Sequence, residues 1–172
     1  EKKKAENSKT TLYVAVDRKY IGRIEITDEI KEDSKKAIEM LRKEGVSNIV
    51  MLTGDKKEAA DKVAKEINID KIYSELLPAD KVAKVEELLN NKDDSKALAF
   101  VGDGINDSPV LARADIGISM GGIGSSSAIE ASDIVVMTDS IDRIDCAIDI
   151  SKKTSKIIKQ NLIFSIGVKI IV

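Results

Sequence analysis

The 172-residue chain carries 28 Lys and Arg against 30 Asp and Glu, a single Cys, and neither His nor Trp. Without His there is no Ser-His-Asp triad, His–Cys pair or HExxH zinc site, and one Cys permits neither an internal disulfide nor a Cys-rich zinc site. A net charge of −2, with only three Tyr and two Phe, opposes a nucleic-acid interface, so chemistry falls to carboxylates, hydroxyls, amides, Lys, Arg or a bound metal.

Residues 1–10 are polar and Lys-rich, a composition expected to fray. Residues 11–17 (TLYVAVD) and 20–27 (YIGRIEIT) alternate apolar with polar side chains and read as a hairpin turning at Arg18-Lys19. From Asp28 helix and strand alternate. Ile30, Ala37, Ile38 and Leu41 share one helical face, and Gly45 ends that helix. Residues 48–52 (NIVML) form a short apolar strand. Ala59, Ala60, Val63, Ala64 and Ile67 mark the next helix, followed by a short strand at 71–74 (KIYS). Pro78 suits the first position of a helix carrying Val82, Val85, Leu88 and Leu89. After a polar turn at 90–95, three more apolar strands are expected at 97–101 (ALAFV), 115–119 (DIGIS) and 133–137 (DIVVM). A short helix around 128–131 separates the last two. Strands apolar on both faces, with helices between them, specify an α/β fold: a doubly wound, Rossmann-like parallel sheet with helices on both faces. Its active site belongs at the carboxyl ends of the strands.

Residues 141–161 read as one helix with Ile144, Ile148, Ile157 and Ile158 along it, and Cys146 in it is expected half buried and inert. Lys152, Lys153, Lys156 and Lys159 crowd its last turns, and residues 162–172 (LIFSIGVKIIV) then carry one charge. A bilayer span needs about 20 apolar residues. The run is therefore a short buried terminus or the beginning of a membrane helix, and the lysines ahead of it favour the second reading.

Three motifs lie at strand mouths. Residues 101–107 (VGDGIND) follow an apolar strand, with Gly102 and Gly104 bracketing Asp103, and Asn106 and Asp107 close behind. Hard oxygen donors in that place suit Mg²⁺, although a bare GDG also fits a helix-capping turn with Asp107 in the first turn. Residues 52–55 (LTGD) place Thr53 where its hydroxyl and amide can meet a phosphoryl oxygen, while Asp55 could equally cap the following helix. Lys81, in PADK at 78–81, sits in the first turn of a helix, where the macrodipole disfavours a cation unless an anion is near. A hydroxyl, a lysine and a carboxylate–amide cluster are what phosphoryl transfer needs, except for the nucleophile.

TGD, PADK and GDGINDSPVL (102–111), in this order and spacing, resemble the phosphorylation domain of P-type ATPases, within the haloacid dehalogenase-like superfamily. The resemblance implies that Thr53 binds the transferred phosphoryl group and that Lys81 neutralises it. It implies that Asp103 ligates Mg²⁺, with Asn106 and Asp107 supporting the metal and phosphate site. Gly54 and Asp55 would face the nucleotide, together with Gly102, Gly104 and the hinge acid Asp28. Lys31 stands where relatives often have Arg. By the same resemblance residues 1–27 are the tail of a nucleotide-binding domain, 28–150 the phosphorylation domain, and 151–172 a basic helix leading into a truncated membrane helix. Residues 156–172, with Asn161 and Lys169, are similar to the seventh membrane helix of zinc/cadmium/lead-type transporters. The implied whole is a plasma-membrane transporter whose cytoplasmic part uses Mg²⁺ and ATP to move a divalent metal ion across the lipid bilayer, with no nucleic-acid partner. No DKTG, Asp-x-Asp, His-Pro or Cys-Pro-Cys occurs here. The chain is thus expected to be an inactive fragment whose nucleophilic Asp, nucleotide-binding, actuator and membrane domains lie upstream. An alternative is a receiver-like phospho-acceptor module with Asp55 as acceptor and Lys81 as partner, but residues 11–27 lack the acid pair that such modules need.

Overall fold

A computed structural model describes residues 10–26, 30–103, 106–121 and 126–171. The chain begins with an antiparallel hairpin of β1 (Thr10–Val16) and β2 (Lys19–Ile26). Its turn is Asp17-Arg18, one residue earlier than the sequence suggests, and both residues are left-handed, with φ of 49° and 63°. Positive φ at both turn positions matches the right-handed twist of the strands.

Alternating helices and parallel strands follow: α1 (Ser34–Lys43), β3 (Val50–Leu52), α2 (Lys57–Ile67), β4 (Lys71–Tyr73), α3 (Pro78–Asn90), β5 (Ala99–Gly102) and α4 (Ser108–Arg113). Then come β6 (Ile116–Met120), α5 (Ser126–Ala131), β7 (Ile134–Val136) and α6 (Arg143–Ile171). Ile30 precedes α1 instead of lying on its face, while Ala37 and Ile38 are buried as expected. Gly45 closes α1 with φ of +100°. Pro78 is the first residue of α3, where its missing N–H costs nothing.

The parallel strands form two sheets, β3-β4 and β5-β6-β7. β6 is covered on both faces. Ile118 joins Val136 and Ile144 in a cluster on the α6 side, with Leu41 of α1 packed against it. On the other side Gly117 lies against the Leu111 carbonyl of α4, and the Ser119 and Ser132 hydroxyls are 3.0 Å apart. Ala60 and Ala64 of α2, Val85 of α3, Val110 and Leu111 of α4, and Ala128 of α5 are buried as well. β5 fares differently: Val101 is 38% exposed at the free edge of its sheet.

α6 runs unbroken from Arg143 to Ile171, so one helix crosses the expected boundary at residue 151. Cys146 proves exposed, because Ile144 and Ile148 take the sheet-facing positions. Among the described residues no helix is long and apolar enough to cross a membrane.

Candidate active site

Thr53 leaves the carboxyl end of β3. Its N–H donates to the Tyr73 carbonyl at 3.0 Å, and its carbonyl accepts from Leu76 N–H at 3.1 Å. The Asp55 carbonyl likewise accepts from Glu75 N–H at 2.9 Å. These bonds bind residues 53–55 to the segment that leads into α3. A Cβ on Gly54 would sit 3.3 Å from the Leu76 carbonyl oxygen, so this approach favours glycine. The Thr53 hydroxyl donates to Asp55 Oδ2 at 2.8 Å and accepts from Asp55 N–H at 3.1 Å. Asp55 therefore holds Thr53 instead of capping α2, whose first turn has no side-chain cap.

At the other end of the same connection, Asp80 accepts from Leu77 N–H at 3.0 Å and fixes the start of α3. Lys81, one residue on, donates from Nζ to Asp107 Oδ1 at 2.9 Å. The two side chains are only 20% and 13% exposed, so this is a largely desolvated pair. It accounts for a cation in the first turn of a helix: the balancing anion comes from α4. Asp107 occupies the N-cap position of α4, and its carbonyl accepts from Val110 and Leu111 N–H, but its carboxylate makes no cap. A Cβ on Gly102 would lie 3.1 Å from Asp107 Oδ2, so the end of β5 presses against the same carboxylate.

The structure thus ties Thr53, Gly54 and Asp55, after β3, to the segment before α3, and gathers Lys81, Asp107 and Gly102 around one ion pair. Asp103 and Asn106 are exposed and make no hydrogen bond or ion pair among the described residues. Asp28 and Gly104 lie outside the described residues. Asn161 and Lys169 are exposed on the last turns of α6. Asp103, Asn106 and Asp107 offer only oxygen donors, which fits Mg²⁺, a hard cation that takes one or two carboxylates and fills its shell with water and phosphate. No group of three or more Asp, Glu, Cys or His among the described residues could hold a metal ion, so any shell here is partial.

Sequence reading missed the supports. Asp70, Asp115 and Asp133 each stand immediately before a strand, and each accepts a backbone N–H from the start of the neighbouring strand. Their donors are Ile49, Leu98 and Gly117, at 2.7, 2.8 and 2.8 Å. An Asp directly ahead of each apolar run is the available signal; Asp115 and Asp133 precede the strands instead of lying in them.

The haloacid dehalogenase-like hydrolase family matches residues 2–115. The chain belongs to this family. It is 53% identical over 166 residues to a cadmium, zinc and cobalt-transporting ATPase of Bacillus subtilis, covering 96% of this chain and 24% of that protein. A zinc-transporting ATPase of Synechocystis is 50% identical, covering 93% of this chain and 22% of that protein. The catalytic domain of the CPx-ATPase CopB-B superimposes with a TM-score of 0.60 at 30% identity, over 85% of this chain and 56% of that one. The chain therefore spans about a quarter of the curated relatives that it matches, and those relatives are heavy-metal P-type ATPases.

Proposed function

We propose that this chain supplies the phosphoryl- and Mg²⁺-binding half of an aspartyl-phosphate site in an ATP-driven zinc/cadmium-type transporter. The observation that carries it is the Lys81–Asp107 pair, which joins the segment after β4 to the segment after β5. β3 and β5 each pair with one strand, and both end in a motif: Thr53-Gly54-Asp55 and Gly102-Asp103. In this reading a further parallel strand, supplied from elsewhere in the transporter, pairs with β3 and β5 and carries the nucleophilic Asp at its carboxyl end.

In this reading the added aspartate attacks the γ-phosphorus of ATP, ADP leaves, and water later hydrolyses the acyl phosphate. The Thr53 hydroxyl turns from Asp55 to a phosphoryl oxygen. Lys81 shares its charge between Asp107 and the phosphoryl group, which lowers the cost of bringing two anions together. Asp103 and Asp107, with Asn106, would hold Mg²⁺, which supplies charge neutralisation at the phosphoryl oxygens. Residues 1–27 belong to the nucleotide-binding side, with Asp28 the hinge acid and Gly104 among the residues assigned to the nucleotide. Asn161 and Lys169 belong to the ion path across the plasma membrane.

The test is phosphoenzyme formation from radiolabelled ATP in the full transporter. Lys81→Met and Asp107→Ala should each lower it about 100-fold, the usual scale for removing one preorganised charge partner. The chain alone should show no turnover; steady hydrolysis by it would refute the assignment. The receiver-like alternative is disfavoured because Lys81 pairs with Asp107, while the Asp55 carboxylate is committed to Thr53.

A further inference from the structure

α6 leaves the body of the protein at Lys152, whose ammonium group reaches both the carbonyl and the carboxylate of Glu44. From Ser151 to Ile170 every described residue except Gly167 is exposed. The helix beyond Lys152 is about 28 Å long at 1.5 Å per residue. It carries Ile157, Ile158, Leu162, Ile163, Phe164, Ile166, Val168 and Ile170 in the open. A lone helix with that much exposed apolar surface implies a cover. Charge says which kind. Asp145 and Asp149 are the only acids on α6, and none follows Asp149, whereas Lys152, Lys153, Lys156, Lys159 and Lys169 do. Glu44 neutralises Lys152 and Asp149 neutralises Lys153. Lys156 and Lys159 have no partner among the described residues, and they stand one turn ahead of the apolar run. At 100° per residue Lys152, Lys156 and Lys159 fall within roughly 60° of each other, so they present one basic face.

We propose that Lys156 and Lys159 bind the headgroups of anionic phospholipids at a bilayer surface, a step that rests on reading the apolar end of α6 as membrane-associated. The apolar run enters the hydrocarbon, and the two free ammonium groups are left at headgroup level. Each such lysine is worth about fivefold in binding to an anionic leaflet, so two give about 25-fold. Flotation of the full chain with phosphatidylcholine vesicles, with and without phosphatidylglycerol, tests this. The expected result is a preference for anionic vesicles that falls about 25-fold in Lys156→Gln/Lys159→Gln and survives in Lys62→Gln, a control on α2. Equal binding to both vesicle types by all variants would overturn the headgroup site while leaving membrane association standing. Binding to neither would overturn both. Loss of the preference in the Lys62→Gln control would also overturn the proposal, since it would mean that net charge alone decides.

Discussion

Gly117 shows how little room the centre of the fold allows. A Cβ there would sit 2.6 Å from the Leu111 carbonyl oxygen, inside van der Waals contact with backbone that cannot move without shifting α4. Overpacking of this kind costs about 1–3 kcal/mol. Gly117→Ala should lower stability by that amount in urea unfolding, and because Asp107 is the N-cap of α4 it should also displace the Lys81 partner. Lys81 and Asp107 illustrate the opposite situation, where sequence spacing hides the contact. They are 26 residues apart, and only the packing of α3 on α4 brings them together. Lys81 as a misplaced cation was legible; which anion answered it was not.

At the scale of elements, the amino ends of the strands are held by carboxylates. Hydrogen bonds from the Arg42 side chain, and then from Ile49 N–H, hold the Asp70 carboxyl below the usual carboxylate range. The Leu98 N–H does the same for Asp115, helped by Lys92. A carboxylate depressed in the folded state adds stability that is present above its unfolded value of about 3.9 and is lost as pH falls through the folded value. Asp70→Asn and Asp115→Asn should therefore be less stable than the parent at pH 7, and the gap should close in strong acid. Circular dichroism melts across that range would show it; a gap that persists at low pH would mean that the charge contributes nothing. The hairpin is the weakest element. Leu12, Tyr13, Val14, Val16, Tyr20, Ile21 and Ile24 are all exposed, and a two-stranded ribbon is marginal unless something covers it.

Across the whole molecule the decisive feature is a divided sheet. Helices α3 and α4 pack together and α1 packs on α6, so the two sheets belong to one body even though β3 and β5 do not pair. Outward-facing amides of β3 and β5 should exchange quickly with solvent in this chain. If the proposed strand pairs with them in a longer protein, they should be strongly protected there, as hydrogen exchange read by mass spectrometry can establish. Protection already complete in the isolated chain would rule out a further strand pairing with β3 and β5.

The sequence by itself determined the alternating elements, the parallel strands, the motifs at strand mouths and the family. The elements and strands follow from local chemistry: apolar runs too short for helices, glycines where the backbone must turn, proline at a helix start; the family rests on the resemblance carried by TGD, PADK and GDGINDSPVL. The sequence also contains no DKTG. Tertiary structure alone decided that Asp107 answers Lys81, that Asp55 restrains Thr53 instead of capping a helix, that Gly117 admits no side chain, and that the sheet parts between β3 and β5. Lys81 and Asp107 are 26 residues apart, and in the other cases the outcome depends on where neighbouring backbone and side chains pack, about which periodicity and propensity carry no information.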